Sequence, residues 1–341
     1  MTPPQDAPIH ALSTMWSQGR FRKDGDDHDH MPSFAEKTAA LGFSHIEINY
    51  VIPPAGVDAL IESNHVEVSS VHSPCPRVRL NGRLSDALNL AATDEEERAL
   101  AVQVAKDSVD TAVRAGASLL VVHLGGVGDK MFEEERQLRK LFDAGTTDGE
   151  EVDGLRQSAI ERRREGARDF FPQARRSLAE LAEHAAANGV TIGLENRFHF
   201  SEFPDPDEMA ELLAAYPPHI AGFWIDIGHV EVLHRLGLID RHRWLDELAD
   251  RCVGSHVHDT DGLNDHRAPG HGTSDWPHYA AKLPPHIRAS TRSTRRSRKT
   301  RSLPPRRSCA ASASSRRSSP QIVLCIRGHV RNFSFQFGDT P

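Results

Sequence analysis

Five short runs of this chain end on a side chain of the kind that binds metal. They read VSSVHSP, LLVVHLGG, TIGLENR, GFWIDIGH and GSHVHD, with DHRAPGHG following, and they supply His72, His123, Glu195, Asp226, His229, His256 and His266. Short Val-, Ile- and Leu-rich runs between helical segments are buried strands. In a parallel α/β barrel the C-terminal ends of all strands share one face, and that face carries the active site. The pattern therefore gathers seven imidazoles and carboxylates at one mouth, a donor set suited to a divalent ion.

The remaining chain keeps the same rhythm of helix then strand. ALSTMW opens the barrel, SFAEKTAALGF is helical, and HIEINY is the next strand. VDALIESN is a short helix before VEVSSVH. Thr93 with Glu96 has capping-box spacing ahead of a helix that runs to Arg114, with Gly116 as its terminator. Ala174, Leu178, Leu181 and Ala185 share a helical face that leads to TIGLEN. Asp205, Pro206 and Glu208 open another helix before AGFWIDI, and WLDELADRC precedes VGSHVHD. Seven strands alternating with helices predict a parallel sheet with right-handed crossovers, the (β/α)8 TIM-barrel class. The length of 341 residues fits one such domain of roughly 250 residues plus additions.

Two segments break the rhythm. Residues 129–168 are highly charged and helical in pattern, and they follow the fourth strand on the active-site side. They read either as a solvated helical insertion or as a lid carrying arginine to an anionic substrate. After KLPPHIRA the chain turns to STRSTRRSRKTRSLPPRRSCAASASSRRSSP, with no acid between Asp275 and Asp339. Such a composition cannot bury enough surface to fold. The expected organisation is a barrel over 1–288 and a disordered basic low-complexity tail over 289–341, with the eighth strand incomplete or replaced by QIVLCIRGHV. A shifted reading frame after about Ala289 accounts for the abrupt change, and a basic nucleic-acid-binding arm is the rival.

Charge narrows the partners. The net charge of −7 divides into an excess of acid over residues 1–275 and a tail from Trp276 with 14 Lys/Arg and one acid. An acidic body repels a phosphate backbone, so a small molecule suits it better than a nucleic acid. No apolar run approaches the roughly 18 residues of a membrane span. MTPPQDAPIH lacks the plan of a signal peptide. Cys75, Cys252, Cys309 and Cys325 have no metal-type spacing. These features predict a cytoplasmic protein with reduced thiols.

The motifs carry different weights. Asp226 and His229 can ligate one or two neighbouring ions, or be an N-cap beside a solvent histidine. His256 and His258 fall on the same side of a strand, and Asp259 faces away or caps the loop. Glu195 ends an apolar run, so its carboxylate must be paired or metal-bound. Arg197 and Arg267 suit an oxyanion or phosphate, or plain salt bridges. His123 precedes Gly125 and Gly126, where either ligand approach or a tight turn accounts for glycine. His28 and His30 read as solvated loop residues. The chain has no G-x-S-x-G, no Walker loop and no G-x-G-x-x-G behind a strand.

Together SHIEIN, VHSP, VVHLGG, GLENR, WIDIGH, HVHD and DHRAPGHG resemble the xylose-isomerase-like TIM-barrel superfamily over about residues 9–288. That group holds sugar-phosphate isomerases and epimerases and the endonuclease-IV-type AP endonucleases. The isomerase branch implies one divalent ion (Zn, Mn, Mg or Co) held by Glu195, Asp226, His256 and a Glu on strand eight. The endonuclease branch implies three zincs, with His72, His123, His229 and His266 as further ligands. Where that branch has an Asp two residues before its last His, this chain has Asn264, and Asp265 is the substitute. The strand-eight Glu falls in the anomalous tail and is missing, which would leave an inactive barrel that binds metal or sugar.

The expected function is thus a metal-dependent isomerase or epimerase of a small-molecule sugar or sugar phosphate. Glu195 and His256 are its expected catalytic residues, and His123, Arg197, His258 and Arg267 its substrate contacts. The zinc phosphodiesterase is the alternative. Barrels of this kind often form homo-oligomers, and nothing in the sequence marks an interface.

Overall fold

The computed structural model describes residues 9–17, 30–285 and 287–292. Eight parallel strands close a barrel. They are β1 (His10–Ser13), β2 (His45–Ile48), β3 (Glu67–His72), β4 (Leu119–Val122), β5 (Thr191–Glu195), β6 (Ala221–Asp226), β7 (Cys252–Val257) and β8 (Arg288–Thr291). The helices on its outside are α1 (Met31–Ala40), α2 (Pro54–Ser63), α3 (Glu95–Arg114), α4 (Glu133–Asp143), α5 (Glu150–Ala187), α6 (Pro206–Ala214), α7 (Ile227–Arg235), α8 (Arg241–Leu248) and α9 (Trp276–Lys282). The apolar core lies mainly between strands and helices, with Ile46, Ile48, Leu120, Val122, Ile192, Leu194, Phe223 and Ile225 facing outward onto the helix layer. Burial of these side chains is worth roughly 1.5–3 kcal/mol each.

The eighth strand, expected to be incomplete or replaced, is present. Ala289 pairs with His10 and Ser255, and Ser290 with Ala11 and His256, so the short RAST segment bridges β1 and β7. A closing strand needs backbone partners on both sides, not an apolar run, which is why composition hid it. The expected tail boundary at 289 therefore falls inside the barrel; residues 293–341, QIVLCIRGHV among them, lie outside the described residues, as does His28.

Other boundaries shift. The cap of α3 is Asp94, which accepts from Glu97 N at 2.8 Å, one residue beyond the Thr93–Glu96 spacing. Both residues carry a capping oxygen, and the register of the helix selects the aspartate. His30 caps α1 by accepting from Ser33 N. Asp205, Pro206 and Glu208 open α6 as expected, with Asp205 and Glu208 forming a capping box. The charged insertion does not stand apart from the barrel helix: α5 runs unbroken for 38 residues through Pro172.

Inside the barrel, below the mouth, Trp224 fills the space. Its neighbours across the adjoining strands are Gly193 and Gly254. A Cβ on Gly254 would meet the Trp224 ring at 2.0 Å. The indole packs edge-on against His256, with ring centroids 4.9 Å apart. It forms the floor on which the polar cluster rests.

Candidate metal centre

Glu195, at the end of β5, is the hub. Its Oε2 lies 2.9 Å from His72 Nε2 and 2.9 Å from His123 Nε2. Its Oε1 lies 3.1 Å from His256 Nδ1 and 3.6 Å from His229 Nδ1. These partners come from the ends of β3, β4 and β7 and from the first turn of α7. Parallel strands of matched register alone bring residues so far apart in sequence to one point.

Asp226 ends β6 and serves two elements. Its Oδ1 accepts from His229 N at 2.9 Å and so caps α7. Its Oδ2 faces His256 Nδ1 at 3.4 Å but has no hydrogen-bond partner, although fully buried. The cap and ligand readings of this residue are therefore compatible. Asn196 locks the neighbouring strand ends: its Nδ2 donates to Asp226 O at 3.0 Å and its Oδ1 accepts from Asp226 N at 2.7 Å.

A second group lies beside the first. His258 Nε2 is 2.8 Å from Asp226 Oδ1 without the alignment of a hydrogen bond. Its ring stacks on His266 at 4.4 Å. Asp265 reaches both sides, with Oδ2 2.7 Å from His266 Nδ1 and 3.8 Å from His229 Nε2. His266 holds a left-handed backbone (φ 56°), uncommon for a residue with a side chain and the kind of local strain that functional loops retain. Gly228 makes room here, because a Cβ would meet the His258 ring at 2.0 Å.

Among the described residues, three sets of ligand atoms fall within metal-binding reach of one another: His72–His123–Glu195, Glu195–Asp226–His229, and His258–Asp265–His266. Of the expected metal residues, His72, His123, Glu195, Asp226, His229 and His266 fall in these sets, and His256 joins them through its contacts with Glu195 and Asp226. His258, expected at the substrate, is buried within this cluster. Arg197 stands at its edge, paired to Glu202 at 2.7 Å, with a buried Nη1 that has no partner. Arg267 lies 3.6 Å from Asp261. Asp259 caps the following loop, accepting from the backbone N–H groups of Gly270, Gly272 and Ser274.

Sequence reasoning missed Glu47, Tyr50 and Arg292. Glu47 Oε2 lies 2.9 Å from His256 Nε2, and Ser13 and Ser70 donate to the same carboxylate. A carboxylate between two isoleucines in HIEI was the available signal. Tyr50 packs edge-on against His72 and His123. Arg292, the first residue beyond β8, is 2% exposed and lies within 3.5–3.7 Å of Glu47, Glu195 and Asp226.

The charges respond to one another. Burial alone would raise Glu47, but the facing His256, then Arg292 and His72, hold it at about 2. Glu195 and Asp226 are likewise held well below the usual carboxylate range against their burial. His256, His123 and Arg292 do this for Glu195, and His229 and His258 for Asp226. Burial and Arg292 disfavour a charged His256, yet Glu47 and Glu195 outweigh them and raise it to about 10. Burial keeps His72, His123, His229 and His266 on the neutral side, the form that ligates.

The charged insertion buttresses this site from behind. Glu135 of α4 accepts from His199 Nδ1 at 3.0 Å and Phe200 N at 2.9 Å. Arg163 of α5, buried, donates to Phe200 O and pairs with Asp205 and Glu208. Phe198 in the clamped loop stacks edge-on against His229. These insertion charges hold the loop after β5 and are spent there, which favours the buttress over the arginine-bearing lid.

Residues 35–285 match the family described as xylose isomerase-like TIM barrel. No curated protein sequence matches the chain. Among solved structures it is similar to a D-tagatose 3-epimerase-like protein (TM-score 0.55, 19% identity, 84% of this chain and 90% of that one). It is also similar to 3-keto-D-glucoside 4-epimerase from E. coli in its apo form (TM-score 0.54, 12% identity, 86% and 94%). A third likeness is to the IOLI protein with a bound zinc atom (TM-score 0.54, 14% identity, 84% and 88%). At such identities these three likenesses are of fold. The family match spans most of the chain and agrees with the closed barrel, so the chain belongs to the xylose isomerase-like TIM-barrel family.

Proposed function

We propose that this protein is a metal-dependent isomerase or epimerase of a sugar or sugar phosphate, working by proton transfer next to a carbonyl. The observation that carries this reading is the convergence of Glu195, Asp226 and His256, from three successive strand ends, with a buried Asp226 Oδ2 that has no hydrogen-bond partner among the described residues. A buried polar atom left without a hydrogen bond is costly, and among the described residues three atoms of metal-ligand type are so placed here: Asp226 Oδ2, His258 Nε2 and His266 Nε2. Mixed carboxylate and imidazole donors with such unmet atoms fit a divalent ion.

Glu195, Asp226 and His256 would hold the ion, His256 after giving up the proton that Glu47 and Glu195 favour. Bound there, it would polarise a substrate carbonyl and acidify the adjacent carbon. Glu195, kept ionised by its imidazole neighbours, is in the form that accepts a proton. It is a weak base, so the carbon acid must be activated. His123, the one histidine among the hub's direct partners with 22% of its side chain exposed, faces the mouth and can contact a substrate oxygen. The free Nη1 of Arg197 offers a further donor. Trp224 beneath and the clamped loop behind keep the cluster from water.

The test follows solvent deuterium into aldoses and ketoses, free and phosphorylated, with added Mn2+, by proton NMR. Exchange at a carbon next to the carbonyl is expected for the native chain and lost in Glu195→Gln. Equal exchange in both proteins would refute the reading. A zinc phosphodiesterase acting on abasic DNA is the second reading. Asp265 supports it, since its carboxylate reaches both His229 and His266 and so completes a third ligand group.

A further inference from the structure

The cluster already contains a fixed positive charge of the protein's own. The Arg292 guanidinium is enclosed by Glu47 Oε1 at 3.5 Å and by Glu195 Oε1 and Asp226 Oδ2 at 3.7 Å each. None of these contacts is a hydrogen bond, and Nε and Nη2 have no hydrogen-bond partner among the described residues. The group is therefore held by charge, not by a bidentate fork of the kind guanidinium makes with a carboxylate. A guanidinium does not lose its proton in a protein, and an uncompensated one would be strongly destabilising at this depth. Its three neighbours are carboxylates, and two of them are residues proposed above to hold a metal. The family resemblance implies a glutamate ligand on strand eight, whereas this chain places a cation just past that strand.

We infer that Arg292 is the resident counter-cation of the Glu47–Glu195–Asp226 cluster, holding it assembled without metal and weakening its affinity for a divalent ion. The geometry requires both effects. Glu195 Oε1 and Asp226 Oδ2 face the guanidinium and are also the oxygens turned toward His256 Nδ1. An ion ligated by these oxygens meets a fixed like charge at close range in a water-poor interior, where such repulsion is poorly screened. Removing the charge relieves that repulsion and leaves three carboxylates that need a cation. The inference rests on the metal-centre reading, and its test separates the two.

The experiment titrates the metal-free full chain with Mn2+ by calorimetry and records its melting temperature with and without the ion. The proteins are the native chain, Arg292→Gln, Arg292→Glu and the charge-conserving Arg292→Lys. Arg292→Gln is expected to bind Mn2+ at least about tenfold more tightly than the native chain, and Arg292→Glu more tightly still. Without metal, Arg292→Gln is expected to melt lower than the native chain and to recover with Mn2+, while Arg292→Lys follows the native chain in both respects. Recovery by the ion of a variant unfolded without it also supports the inference. Equal Mn2+ affinity in all four proteins would overturn it and leave the metal centre standing. If none binds Mn2+, the metal centre itself fails. The metal-free melting temperatures then decide on the counter-cation alone: a loss confined to Arg292→Gln and Arg292→Glu upholds it, and no loss overturns it.

Discussion

His256 Nε2 lies 2.9 Å from Glu47 Oε2, across a barrel interior that separates β7 from β2. Neither side chain has any exposure. The pair contributes to the pH response of the metal-free protein. His256 is raised from 6.5 to about 10, so its contribution is fully present below about pH 6.5 and fades as pH rises toward 10. Glu47 is lowered from 4.5 to about 2, so its contribution is present above about pH 4.5 and is lost as pH falls toward 2. The melting temperature of the metal-free chain is therefore expected to decline from pH 6.5 toward 9, and Glu47→Gln to flatten that decline. A native curve that stays level over this interval would contradict the pairing.

Metal uptake should depend on the two strand-end carboxylates. Asp226→Asn keeps an oxygen able to cap α7 but removes the charge beside His256 and His258. Its metal affinity is expected to fall by roughly a hundredfold or more, beyond the 10–100-fold typical of outer-shell changes. Far-ultraviolet circular dichroism should stay native. Equilibrium dialysis with elemental analysis measures the first effect, and unchanged uptake would remove Asp226 from the ligand set.

Much of this centre could be read from strand-end residues, because each sits at the junction of an apolar run and a polar loop. Glu47 and Arg292 escaped for different reasons. Glu47 belongs to a strand whose partner across the barrel is 209 residues away, and only closure brings them together. Arg292 stands in a basic run in which every arginine looks alike, and a four-residue strand without an apolar signature decides that this one points inward. The long α5 did not read as one element, because its charged part up to residue 168 and the apolar face from Ala174 differ in composition and Pro172, a residue type that ordinarily breaks a helix, lies between them. There the helix-forming residues on both sides and the packing against α3 and α4 carry it through.

The glycine at position 254 is a spatial requirement of the floor. Gly254→Ala would put a methyl group 2.0 Å from the Trp224 ring, which is itself fully buried beneath His256. Overpacking of this kind costs about 1–3 kcal/mol. Chemical denaturation should show a loss in that range, and the shift of Trp224 toward His256 should also weaken metal binding. A neutral effect on stability would mean that the indole can move aside.

The insertion should matter to the site through the loop it clamps. Arg163, 5% exposed, joins α5 to Phe200 O and to Asp205 and Glu208, whose side chains keep 26% and 13% exposure. Arg163→Met removes the charge while keeping much of the apolar stem. Breaking a buried pair costs up to about 5 kcal/mol, and the partial exposure of the two acids lowers the expectation here to about 2–3 kcal/mol. The local readout is sharper than the global one. Amide exchange at residues 198–203 should accelerate relative to the barrel strands, since these amides lie in the segment that Arg163 and Glu135 secure. Through the contact between Phe198 and His229, the same variant should loosen metal binding without touching a ligand. Unchanged exchange in that loop would make the insertion a solvated appendage, not the support of the centre.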